Sequence, residues 1–292
     1  MLRGIRDFLE LIKFEHTLFA LPFAYVGMML AANGWPSWSC VLWITLALAS
    51  ARTVAMAVNR LADRVIDAQN PRTAHRPLAS GRVAQRTAWT GTAIALALLG
   101  FSAWKLGPLP LRLLPIALLF LVGYSFTKRF TWLSHFILGF TDGLAPAGAW
   151  VAVRGSLFTH QDIPAWLLLA AVTFWIGGFD VIYACQDAEF DRQHGLHAIP
   201  ARFGTRTALR LSAISHITAF LLLIAVGWVL HLSYPYAVGL GIIASLLIVE
   251  HRLVSPDDLS RLQIAFFQVN SAISVTLFLS VFSALLLGAT RT

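Results

Sequence analysis

Charged residues are scarce in this chain. Asp, Glu, Lys and Arg make up 12% of its 292 residues, and only 14 residues are acidic. A water-soluble domain carries roughly twice that charged share, so a soluble enzyme or binding module is excluded. Cysteine is nearly absent, with Cys40 and Cys185 alone, which leaves neither a disulfide framework nor a cysteine-rich zinc module. No Gly/Ser-rich linker, low-complexity tract or polar appendage interrupts the chain, so nothing marks a second domain.

Apolar residues fill the space that charge leaves. They make up 58% of the chain, and the mean hydropathy is +0.71. They gather in nine runs, at 15–33, 39–60, 87–105, 111–127, 131–153, 165–186, 210–230, 234–250 and 264–289. About 20 apolar residues are what a helix needs to cross a bilayer core. The expected fold is therefore all-α: a polytopic membrane protein of nine transmembrane helices, one domain over 1–292, in the cell inner (plasma) membrane. No cleavable leader is expected, because the first run passes through "NGWPSWS" directly into the second.

The net charge of +8 does not mark a nucleic-acid binder, because its distribution follows the membrane. Outside the runs, sixteen Lys and Arg fall at the N-terminus and in the even-numbered loops. The other side carries four, Lys105, Arg112, Arg154 and Arg291. The positive-inside rule then places the N-terminus in the cytoplasm. Cys40 and Cys185 fall at opposite faces and cannot pair. Basic inner loops also favour anionic substrates.

The acids are few but grouped. "NRLADRVID" places Asn59, Asp63 and Asp67 four residues apart. Each such step drifts only about 40° around a helix, so the three climb one face. "DVIYACQDAEFD" places Asp180, Tyr183, Asp187 and Asp191 on one face of a continuous helix in the same way. Both groups extend from the inner end of an even-numbered run into a long polar loop. The shared order of acids then arginines is consistent with an internal duplication. Stacked carboxylates repel, and taking them from water is costly unless something compensates. Oxygen donors alone favour Mg²⁺ or Ca²⁺, and Mg²⁺ is typically shared between a few carboxylates and phosphate oxygens. With Arg72 and Arg76 just after the first row, and Lys128 and Arg129 in another loop assigned to the same side, two such rows point to a magnesium-bound diphosphate at the membrane surface. The bland alternative is a set of solvated loop acids paired with neighbouring arginines; a matched pair of rows on one side weighs against it.

At these residues the chain resembles the UbiA superfamily of intramembrane prenyltransferases, over essentially its whole length. The family's paired aspartate motifs stand here as "NRLADRVID" and "DVIYACQDAEFD", with "RTAHRPL" after the first and "YSFTKR" after the fourth apolar run. The resemblance implies that Asn59, Asp63, Asp67, Asp187 and Asp191 hold Mg²⁺, with the four aspartates catalytic through it. It further implies that Arg72, Tyr124, Lys128, Asp180 and Tyr183 serve the diphosphate. Arg60 departs from the family pattern and lowers the negative charge of the first motif. "IKFEHTLFALPFAY" and "ARTVAMAVNRLADR" resemble the bacterial 4-hydroxybenzoate polyprenyltransferase branch. That branch implies transfer from a polyprenyl diphosphate to 4-hydroxybenzoate in ubiquinone or menaquinone biosynthesis. The alternative acceptor is 1,4-dihydroxy-6-naphthoate in the futalosine route to menaquinone.

The chemistry implied is ionisation of the allylic C–O bond followed by electrophilic attack on the ring, with water excluded. No protein nucleophile is required. Arg52 lies seven residues before Asn59, within about 20° of it on the helix but roughly 10 Å deeper. A charge at that depth usually faces the bundle interior, so Arg52 is a candidate for binding the acceptor's carboxylate. An ion pair with Glu15 or Asp142 is the competing role. His75, His194 and His197 lack zinc-like spacing with cysteines and are assigned no metal. Two other classes compete with an enzyme. A divalent-cation transporter would place its acids near the midplane in broken helices, and a scaffold has no use for paired acidic rows.

Overall fold

The second apolar run does not stop where its hydropathy does. In this computed structural model it is one helix, α3 (Trp38–Gln69), of 32 residues. At 1.5 Å per residue that is about 48 Å, well beyond a bilayer core of ~30 Å. The polar motif 59–67 is therefore the protruding end of a membrane helix rather than a loop. Coordinates describe residues 2–289, with side chains for all of these except 2, 3, 15–19 and 289.

Around α3 the chain order is α1 (Leu2–Leu11), α2 (Phe14–Ala32), α4 (Gln85–Leu106), α5 (Pro108–Thr127), α6 (Ser134–Arg154) and α7 (Ile163–Ala184). Short helices α8 (Ala188–Gln193) and α9 (Ile199–Phe203) come next, then α10 (Thr205–Val229), α11 (Tyr234–Leu253) and α12 (Asn270–Ala289). No strand occurs among the described residues; a single bridge joins Ser255 and Asp258. Eight helices among the described residues are long and apolar enough to cross a membrane, and Ala20–Ala32 forms a shorter apolar stretch within α2. Pro22, Pro115 and Pro146 lie inside helices, a use of proline that membrane helices tolerate.

The helices form two compact units, Met1–Leu21 with Trp38–Phe126, and Pro22–Ser37 with Thr127–Thr292. In the first, α3 packs along α4. Buried Leu11, Ile12, Ala57, Leu78, Val83 and Ala88 form one core, joined by Phe8. Leu78 and Val83 come from the loop after α3, so that loop folds back over the C-terminal part of the helix. Phe8 lies so close to Gly91 that a Cβ there would stand 2.4 Å from its ring. Arg82 ties the same loop to α1 through Asp7 (3.0 Å) and Glu10 (2.6 Å). The hydrogen bond from Arg82 holds the Glu10 carboxyl below the usual carboxylate range.

In the second unit α7 is packed by α6 on one side and α10 on another. Small residues permit the approach. A Cβ on Gly139 would meet Thr173 O at 2.2 Å, and one on Gly143 would meet Leu169 O at 2.7 Å. This is the small-residue contact that lets membrane helices pack backbone to backbone.

Candidate active site

The first acidic row is buried and already charge-compensated. Asp63 and Asp67 are 2% and 5% exposed, a placement that costs several kcal/mol per ion without partners. Partners are present. Asn59 Nδ2 donates to Asp63 Oδ2 at 3.5 Å, and Arg60 Nη1 donates to Asn59 Oδ1 at 3.3 Å. Arg76 Nη1 donates to Asp67 Oδ1 at 2.7 Å, with buried Arg60 3.9 Å from Asp67 Oδ2. Arg60, the departure from the family pattern, thus stands as a cation within the row itself.

The loop is shaped to bring Arg76 back. Asn70 Oδ1 accepts from Arg72 N (2.9 Å), an Asx turn, and Thr73 Oγ1 donates to Asp67 O (3.0 Å), capping a carbonyl at the end of α3. Arg72 is half-buried at that turn, and Tyr124 on α5 donates to Ala55 O of α3 at 3.2 Å. Arg52 is half-buried on α3. Glu15, one of its two candidate partners, lies outside the residues whose side chains are described.

The second row differs from the continuous helix that its spacing suggests. α7 ends at Ala184, Cys185–Asp187 forms a 3₁₀ turn, and α8 resumes at Ala188. Three residues at 120° instead of 100° rotate the next helix by roughly 60°. Asp187 and Asp191 are therefore swung around relative to Asp180 and Tyr183. Asp180 meets His135 of α6, with Nδ1 at 2.7 Å from Oδ2, while His135 Nε2 accepts from Ile199 N at 3.2 Å. That acceptor role leaves the proton on Nδ1, so His135 donates to Asp180. His135 has no local sequence signal; its contacts lie 45 and 64 residues away. Asp191 and Lys128 are joined through the backbone. Leu196 N donates to Asp191 O at 2.8 Å, and the next residue, His197, donates from its N to Lys128 O at 2.7 Å.

These donors fit magnesium by chemistry. They are hard oxygens, half-buried or buried, and Arg60 and Arg76 stand beside the first row. Among the described residues no three His, Cys, Asp or Glu side chains gather to cage a metal ion. Magnesium keeps several waters and takes phosphate oxygens, so it is usually held by one or two carboxylates without a protein cage.

The chain is thus a multi-pass helical membrane protein with two acid-rich motifs at helix ends, the first of them closed by Arg60 and Arg76. The UbiA prenyltransferase family model matches residues 20–287, and this chain belongs to that family. It is a prenyltransferase enzyme. The 4-hydroxybenzoate octaprenyltransferase of Methylobacillus flagellatus is 34% identical over 247 residues, covering 84% of this chain and 81% of that protein. The protein of that name from Chromohalobacter salexigens is 31% identical over 260 residues, 87% and 84% of the two chains. Among solved structures, the apo UbiA homolog from Aeropyrum pernix K1 superposes with a TM-score of 0.84 at 34% identity, over 92% of this chain and 98% of that one. A UbiA homolog from Archaeoglobus fulgidus, bound to GPP and Mg²⁺, has a TM-score of 0.71 at 20% identity over 95% and 99%; at that identity the likeness concerns the fold.

Proposed function

We propose that this enzyme transfers the polyprenyl group of a polyprenyl diphosphate to an aromatic carboxylic acid, 4-hydroxybenzoate, as a step of quinone biosynthesis. The observation that carries the reading is the pairing of buried acid and cation in the first motif, where Arg76 meets Asp67 at 2.7 Å with Arg60 beside it. Relatives named as 4-hydroxybenzoate octaprenyltransferases support the acceptor, and the bound GPP and Mg²⁺ of the A. fulgidus homolog support the donor and the metal.

In this reading Asn59, Asp63, Asp67, Asp187 and Asp191 hold magnesium, which neutralises charge on the diphosphate as the allylic C–O bond breaks. Arg72, Tyr124, Lys128, Asp180 and Tyr183 orient the diphosphate. Arg76, already on Asp67, adds positive charge where the leaving group gains negative charge. The bonding pair departs with the diphosphate. The ring carbon ortho to the phenolic oxygen then attacks the allylic carbon, and its proton is lost to restore aromaticity. Arg52, deeper on α3, pairs with the acceptor's carboxylate. The chain works as one domain over 1–292, with α2 as a ninth span and the acid-bearing ends in the cytoplasm.

The test uses membranes supplied with Mg²⁺, a labelled prenyl diphosphate and a panel of aromatic acids, 4-hydroxybenzoate and 1,4-dihydroxy-6-naphthoate among them. An apolar prenylated product is expected with 4-hydroxybenzoate. It should fall at least 100-fold in Asp63→Asn and in Asp187→Asn at equal expression, about the scale of losing a main electrostatic contributor. Full product from either variant, or product only from an acceptor without a carboxylate, would overturn the assignment.

A further inference from the structure

Between α11 and α12 the chain makes a π-helical turn, Ile264–Val269. Such a turn widens the helix, is uncommon, and is frequently found at functional sites. Asn270, the residue that ends it, holds it from within. Its Nδ2 lies 3.1 Å from Ala265 O, 3.1 Å from Phe266 O and 2.9 Å from Glu250 Oε1. An amide has two hydrogens, so three acceptors saturate it, and the reverse orientation would set oxygen against oxygen.

Glu250 is fully buried. Its Oε2 stands 3.5 Å from Nδ1 of His216 on α10. His216 in turn meets His251 Nε2 at 2.9 Å and Trp175 O at 3.2 Å. The acceptor at Trp175 makes His216 Nε2 the donor there. With its proton on Nε2, His216 offers Glu250 no hydrogen bond; the carboxylate on α11 is met by Asn270 of α12, and it anchors the amide that shapes the turn.

The turn presents Phe266. Its ring lies 4.3 Å from that of Tyr183 with a 35° tilt, and meets Phe179 edge-on at 5.2 Å and 84°. Tyr183 stands in the second acidic motif, four residues before Asp187.

We propose that Asn270 and Glu250 are positioning residues for prenyl transfer: they hold the π turn that sets Phe266 against Tyr183, and so fix Tyr183 for the diphosphate. This rests on the reading of Tyr183 as a diphosphate residue. Nothing else in the mechanism uses the buried Glu250–Asn270 pair, and a purely apolar contact would pack the helices with less desolvation.

The test uses the purified full-length enzyme in lipid nanodiscs with Mg²⁺. Asn270→Ala and Phe266→Leu are expected to raise KM for the prenyl diphosphate roughly tenfold, as small misplacements do. KM for the aromatic acid should stay within about twofold, since only interactions with the displaced group are lost. Phe266→Tyr keeps the stacked ring and should restore the wild-type value. The double variant should be no worse than either single one, because both act through one contact. Hydrogen exchange gives a readout independent of activity. Asn270→Ala should quicken exchange in peptides covering the π turn and also 180–187, whereas Phe266→Leu should do so only in 180–187.

Exchange confined to the turn in Asn270→Ala overturns the proposal. So does an unchanged diphosphate KM in both variants while Tyr183→Phe raises it. If Tyr183→Phe leaves that KM unchanged, the fault lies with the reading of Tyr183, and the exchange pattern alone decides the positioning role.

Discussion

A single residue can stand on a helix face that its spacing foretells and still meet a partner that spacing does not reveal. Asn59, Asp63 and Asp67 were legible because period and composition are local properties. That Arg76 rather than Arg72 closes on Asp67 depends on the Asx turn at Asn70 and the cap from Thr73. His135, Glu250 and Asn270 were not legible at all. Each takes its meaning from a helix at least 20 residues away in the chain, and periodicity names a face without naming what lies across it. Arg52 is the residue whose proposed role is most open to direct measurement. A guanidinium offers a paired fork to a carboxylate. Arg52→Gln should therefore raise KM for the aromatic acid by about 10- to 100-fold, the usual cost of a charged hydrogen bond. KM for the prenyl diphosphate should move little. Steady-state kinetics with each substrate varied in turn decides it, and equal shifts in both would remove Arg52 from the acceptor site.

At the scale of elements, hydropathy located the spans but misplaced their ends for a physical reason. It reports where water begins, and a helix need not stop there: α3 runs nine residues past the end of its apolar run at 60, to Gln69. The opposite happened at the second motif, where an uninterrupted face was expected and a 3₁₀ turn intervenes. Nothing in "YACQDAEFD" distinguishes the two, since no Gly or Pro marks the break. The two glycines of "GFTDG", Gly139 and Gly143, carry no sign in the sequence of the purpose they serve. The α6–α7 contact supplies it, and it makes a discriminating prediction. Gly139→Ala puts a methyl 2.2 Å from Thr173 O, and must force the helices apart. Overpacking of this kind costs about 1–3 kcal/mol, so the thermal midpoint in detergent should fall by several degrees. Gly148→Ala lies on the same helix with nothing within 4 Å. It should leave the midpoint unchanged or raise it slightly, as Ala replaces Gly within a helix. A similar drop in both variants would show that the loss reflects helix chemistry rather than the close approach.

For the molecule as a whole, the decisive quantity is the asymmetry of charge between its two membrane faces. Sixteen cations lie in the segments assigned to one side and four in those assigned to the other. Lys105, one of the four, is held among aromatics, 4.7 Å from the Trp104 ring and 5.5 Å from that of Phe101, an amphipathic anchor suited to a membrane interface. The division into two compact units was not legible, because hydropathy cannot tell which helices pair. The charge distribution gives an expected orientation, and that bears on the proposed function, in which a water-soluble aromatic acid and magnesium both have to reach the acid-bearing helix ends. With the cysteine background removed, single cysteines at Asn33 and Phe158 should react with a membrane-impermeant maleimide on intact cells. One at Asp257, in an even-numbered loop, should react only after the membrane is opened. The reverse pattern would place both acidic motifs outside the cytoplasm, together with the sixteen cations that share their face, against the positive-inside rule. A reading in which cytoplasmic magnesium and diphosphate meet those acids could not survive that result, whatever activity the purified protein retained.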